Sequence, residues 1–114
     1  MFLIGDIGNT EVKICLFTEN SKLLKKIRIL TNNLNTSQLD KNLKFLNSKK
    51  IYLKKIVFCS VVPKAFLVIK KYIEKKTKHK CNELKNISIN SLVNIKVNKK
   101  QIGSDRIANA ISVI

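Results

Sequence analysis

The feature that most constrains this chain is the pattern of its first thirty residues. Phe2-Leu3-Ile4-Gly5-Asp6 is an apolar stretch ending on a carboxylate, and the turn residues Gly8-Asn9-Thr10 follow at once. Val12, Ile14 and Leu16 then alternate with Lys13, Cys15 and Phe17, the period of two that defines a strand. Thr18 to Ser21 supply a second polar turn, and Leu24 to Leu30 place Ile27 and Ile29 on one face with Lys26 and Arg28 on the other. Three strands joined by short turns fold as an antiparallel meander.

The pattern then changes period. Asn32 to Ser37 read as a polar loop, and Ser37 with Asp40 predicts a capping box for a helix carrying Leu39, Leu43 and Leu46 on one face. Ile56 to Val62 is a nearly continuous apolar run, which predicts a central strand covered on both sides. Pro63 suits a first helical turn, and Phe66, Ile69 and Ile73 follow at helical spacing with lysines between them. Ile87-Ser88-Ile89 reads as a short strand, and Val93, Ile95 and Val97 as an edge strand or hairpin arm. Gly103-Ser104 opens an apolar helix over Ile107 to Ile114, which stops in mid-run as in a truncated domain. The fold class expected is α/β: a mixed sheet, made of the three-strand meander plus further strands, flanked by helices.

With 114 residues, 45% of them hydrophobic, the chain is long enough for one domain with a core of its own. Cys15, Cys59 and Cys81 are odd in number and widely spaced, which argues against a disulfide framework or a zinc site and favours a reduced, cytoplasmic setting. Cys59 reads as a small core residue and His79 as an exposed one. No basic stretch precedes the first apolar run and Asp6 interrupts it, so neither a signal peptide nor a membrane span is expected. The net charge of +16 invites a nucleic-acid reading. Its make-up argues against one, because it comes from 21 lysines and only 2 arginines spread along the chain without interleaved aromatics. Lysine, isoleucine and asparagine, at 21, 16 and 13 copies, share AT-rich codons, so a solvated basic surface is the simpler account.

The glycines and aspartates are more informative. Five of the six fall in two short segments, Gly5-Asp6-Ile7-Gly8-Asn9-Thr10 and Gly103-Ser104-Asp105-Arg106. At the first, backbone amides of the turn and the Thr10 hydroxyl can cradle phosphate oxygens, Asp6 can hold a hydrated magnesium ion, and Lys13 adds a point charge. The same residues also make an ordinary hairpin turn. At the second, Ser104 or Asp105 can cap the last helix; alternatively Asp105 accepts a proton from a substrate hydroxyl while Arg106 binds an anion. Both readings stay open on these residues alone.

Four motifs in order narrow the choice. GDIGNT from Gly5, IRILT over Ile27 to Thr31, CSVVP over Cys59 to Pro63 and IGSDRIANA over Ile102 to Ala110 resemble the N-terminal half of the type III pantothenate kinases. The resemblance implies an RNase H-like, actin-like ATPase lobe over residues 1–114, with the family's C-terminal lobe absent. It implies phosphorylation of pantothenate by ATP, the first step of coenzyme A synthesis. Asp6, Ile7, Gly8, Asn9, Thr10, Glu11, Val12 and Lys13 would lie along the nucleotide phosphates, with Asp6 reaching magnesium through water. Gly103, Ser104, Asp105 and Arg106 would contact pantothenate, with Asp105 as catalytic base. A homodimer, Mg-ATP and a monovalent cation, potassium or ammonium, are also implied, the cation-binding aspartate belonging to the lobe this chain lacks. Two departures accompany the match: Ser104 stands where the family usually has alanine, and the aromatic that helps line the pantothenate pocket has no counterpart near Lys96. The 114 residues by themselves are expected to show little kinase activity. The competing expectation is a small basic protein that binds nucleic acid or a partner and has lost catalysis.

Overall fold

The structure is a computed structural model that describes residues 1–84. The expected strands at Ile87–Ile89 and Val93–Val97, and the expected helix beyond Gly103, lie outside the described residues. Five strands and two helices follow in the order β1 (Phe2–Ile7), β2 (Glu11–Phe17), β3 (Leu23–Leu30), α1 (Thr36–Asn42), β4 (Lys55–Ser60), α2 (Pro63–Thr77) and β5 (Cys81–Glu83). Short 3-10 turns at Thr31–Asn33 and Lys44–Asn47 flank α1.

The sheet order is β3-β2-β1-β4-β5. β1, β2 and β3 form the antiparallel meander expected from their alternation, whereas β4 pairs parallel with β1 and β5 parallel with β4. Parallel neighbours need a crossover, and α2 supplies it between β4 and β5. This mixed sheet, with its meander followed by parallel strands, is the RNase H-like arrangement.

Alternation divides the strands between two faces. Leu3, Ile7, Val12, Ile14, Ile27, Ile29, Ile56 and Phe58 form one face and pack against Leu39 and Leu43 of the α1 region and Ala65, Phe66, Ile69 and Ile73 of α2. On the other face Ile4, Cys15, Phe17, Val57 and Cys59 are buried as well. β1, β2 and β4 are therefore interior strands, which explains why β4 reads as a continuous apolar run. Gly5 faces the helical side opposite Phe58, and the Phe58 ring occupies the space a Cβ at Gly5 would need. The absence of a side chain at Gly5 leaves room for that ring over the central strand.

Three local expectations need correction. α1 is capped by Asn35, whose side-chain oxygen accepts from the Gln38 amide at 2.9 Å, so the helix begins at Thr36 and Ser37 lies inside it rather than capping it. β4 ends at Ser60 and not at Val62. The Ser60 hydroxyl accepts from the Val62 amide at 3.0 Å, turning the chain into α2 and leaving Val61 52% exposed. β5 was not foreseen: Cys81 is a core residue whose amide donates to the Glu74 carboxylate at 2.9 Å, while neighbouring His79 is exposed as expected. No described helix is long and apolar enough to cross a membrane.

Candidate functional site

β1 brings Asp6 to the end of a central strand, with Lys13 opposite it on β2 and Cys59 opposite it on β4. Asp6 lies on the face away from α1 and α2, because Ile7 next to it belongs to the helical core. It is the one buried charged or polar residue among those described, with 7% of its surface exposed. A carboxylate placed where water is scarce calls for a cation or hydrogen-bond donors.

The chain leaves β1 through a tight turn at Gly8-Asn9-Thr10. The Gly8 amide donates to the Glu11 carbonyl at 3.0 Å, and the Thr31 hydroxyl donates to the Gly8 carbonyl at 2.8 Å. The Thr31 amide donates to the Thr10 carbonyl at 2.9 Å, extending the β2–β3 ladder by one residue. Among the described residues the Asn9 and Thr10 amides find no protein acceptor. An open recess of about 350 Å³ results, lined by Asp6, Gly8, Asn9, Thr10, Glu11 and Lys13.

Six of the eight residues expected along a phosphate chain thus share one concave surface. The other two, Ile7 and Val12, are fully buried in the helical core, so only their backbones can contribute. The Lys13 ammonium lies 3.6 Å from the Glu11 carboxylate with its side chain 15% exposed. A bound anion would have to draw that ammonium from Glu11. Behind the recess on the same face, burial pushes the Cys15 thiol up to about 11 against the pull of Lys26 and Lys13, which disfavours its thiolate at neutral pH. Cys59 is buried in the strand, consistent with a packing role.

The donor set suits a hard, hydrated cation: the Asp6 carboxylate, the Thr10 hydroxyl and main-chain groups converge, with the second carboxylate, Glu11, engaged by Lys13, and no group of three His, Cys, Asp or Glu side chains gathers among the described residues. Gly103, Ser104, Asp105 and Arg106 lie outside the described residues. A larger recess of about 680 Å³ lies between α1 and α2, lined by Asp40, Tyr72 and Lys75 among others. It opens on the helical side of the sheet, away from Asp6, and it lacks the glycine turn. Sequence reasoning missed Thr31, whose only signal was its place at the end of the IRILT motif.

Fold and recess together define an RNase H-like α/β domain whose central strand carries an acidic residue into a glycine turn. Comparison with known proteins is more specific. The sequence profile of the type III pantothenate kinases matches residues 2–114, and the chain belongs to that family. It is 52% identical over all 114 of its residues to the type III pantothenate kinase of Pelagibacter ubique (strain HTCC1062). It spans 46% of that relative's length.

Proposed function

We propose that this chain is the N-terminal, actin-like lobe of a pantothenate kinase and supplies half of its Mg-ATP site. The observation that carries the reading is the convergence of Asp6, the Gly8–Thr10 turn and Lys13 on one recess in a chain of this family. The free Asn9 and Thr10 amides and the Thr10 hydroxyl bind phosphate oxygens, and Lys13 adds positive charge once released from Glu11. Asp6 would hold a hydrated magnesium ion, which would supply neutralisation of charge on the phosphates. Asp105 takes the proton of the pantothenate hydroxyl, while Gly103, Ser104 and Arg106 hold the substrate. Phosphoryl transfer depends on positioning from both sides of the nucleotide, so a C-terminal lobe carrying the potassium site completes the enzyme, which works as a cytoplasmic homodimer.

Isothermal titration of the chain with Mg-ATP tests the recess, and a coupled assay for pantothenate-dependent ADP release tests the reaction. The reading expects heat of binding that Asp6→Asn abolishes, and turnover on addition of a C-terminal lobe that Asp105→Asn abolishes. Binding indifferent to Asp6→Asn, or steep salt-dependent binding to DNA in place of ATP, would overturn it.

A further inference from the structure

We infer that Thr31 is a positioning residue that aims the Asn9 amide of the Gly8–Thr10 turn, an inference that rests on the nucleotide reading above. Thr31 follows the last residue of β3 and is separated by 23 positions from Gly8, yet it binds both ends of the turn. Its hydroxyl donates to the Gly8 carbonyl at 2.8 Å and its amide to the Thr10 carbonyl at 2.9 Å. In a planar trans peptide, the carbonyl of one residue and the amide of the next point in opposite directions. Fixing the Gly8 carbonyl toward Thr31 therefore aims the Asn9 amide away from it, and fixing the Thr10 carbonyl does the same for the Glu11 amide. Gly8, Asn9, Thr10 and Glu11 line the recess, and Thr31 does not.

The hydroxyl bond also changes what the turn can do by itself. In a closed two-residue hairpin the Gly8 carbonyl would accept from the Glu11 amide. Here the Gly8 amide donates to the Glu11 carbonyl, but no reciprocal bond from Glu11 to Gly8 forms, and Thr31 takes the carbonyl instead. The turn is held open from the residue just past the third strand. Thr31 does not line the recess in this arrangement, so its effect on a bound anion passes through the main chain it anchors.

The test compares Thr31→Val, which keeps the β-branched shape and the amide but loses the hydroxyl, with Thr31→Ser, which keeps the hydroxyl. Amide hydrogen exchange of the free 114-residue chain should show the Gly8 amide opening at least fivefold faster in Thr31→Val, with Ile4 and Ile14 unchanged. Mg-ATP titration should show affinity at least fivefold weaker in Thr31→Val and within twofold of wild type in Thr31→Ser. Equal affinity of wild type and Thr31→Val overturns the inference alone, as does an equal loss in both variants or faster exchange across the whole core. Absence of Mg-ATP binding by the wild type overturns the nucleotide reading, and the role of Thr31 with it.

Discussion

Asp6 on β1 stands directly across the strand pair from Lys13 on β2, so the buried carboxylate and the nearest basic side chain of the recess share one face of the sheet. Their roles separate by substitution. Asp6→Asn keeps the shape and removes the charge that holds a hydrated cation, so magnesium-dependent nucleotide binding should be lost while the thermal midpoint is retained. Lys13→Met keeps the buried stem and removes one charged contact, about 1.5–3 kcal/mol, so nucleotide affinity should weaken roughly tenfold or more. Calorimetric titration with and without magnesium checks both.

Gly5→Ala is expected to destabilise the fold by about 1–3 kcal/mol, because its new methyl group meets the Phe58 ring on the neighbouring strand. A domain of this size loses roughly 4–8 °C of thermal midpoint per kcal/mol. Adding Phe58→Leu should recover part of the loss, since the ring is the obstacle. Calorimetric melting of the single and double variants measures that recovery.

Lys78 ends α2 in the left-handed region at φ 60°, where its amide still donates to the Glu74 carbonyl at 2.9 Å. Glycine adopts this conformation without the clash a Cβ brings, so Lys78→Gly should stabilise the protein by about 1 kcal/mol. A raised thermal midpoint at unchanged helix content is the expected result.

Stability should fall in alkaline solution. Burial pushes the Cys15 thiol up to about 11, and burial together with Glu74 pushes the Cys81 thiol up to about 12, both from an ordinary value of 9.0. Above pH 9 the unfolded chain therefore releases protons that the native chain keeps, which favours unfolding. The native preference is fully present below pH 9 and is lost as pH rises through 11 to 12. Each thiol should cost on the order of 2 kcal/mol by pH 10.5, read from urea midpoints, and Cys15→Ala should flatten the slope. All three cysteines are buried and none is in a disulfide, so thiol reagents at pH 8 should label them only as fast as the protein opens.

Asn35→Ala removes the side-chain cap of the seven-residue helix α1 and should cost about 0.5–2 kcal/mol, whereas Ser37→Ala should change stability little. Urea denaturation of the two variants distinguishes the observed cap from the one the sequence favoured.

Much of the meander was legible in the sequence because its signals are local. Val12, Ile14 and Leu16 alternate with their neighbours whatever the chain does elsewhere, and Pro63 marks the start of α2 through its own ring. β5 was not legible, since three residues carry no period and Cys81–Glu83 becomes a strand only by pairing with Ile56–Phe58. Ser37 lost to Asn35 as helix cap because boundaries a residue or two apart differ little in local signal.

For the candidate site, the sequence by itself determined the ingredients: a carboxylate at a strand end, a glycine turn, a threonine and a lysine within eight positions. That much follows from chain connectivity and strand alternation. Only the tertiary structure decided which of those side chains face outward together, because Ile7 and Val12 turn into the helical core while Asp6 and Lys13 take the opposite face. It also decided that Gly5 is a packing glycine under Phe58 and that Thr31, far along the chain, holds the turn from just past the end of β3. Contacts between distant residues depend on strand order and register, which no local pattern contains.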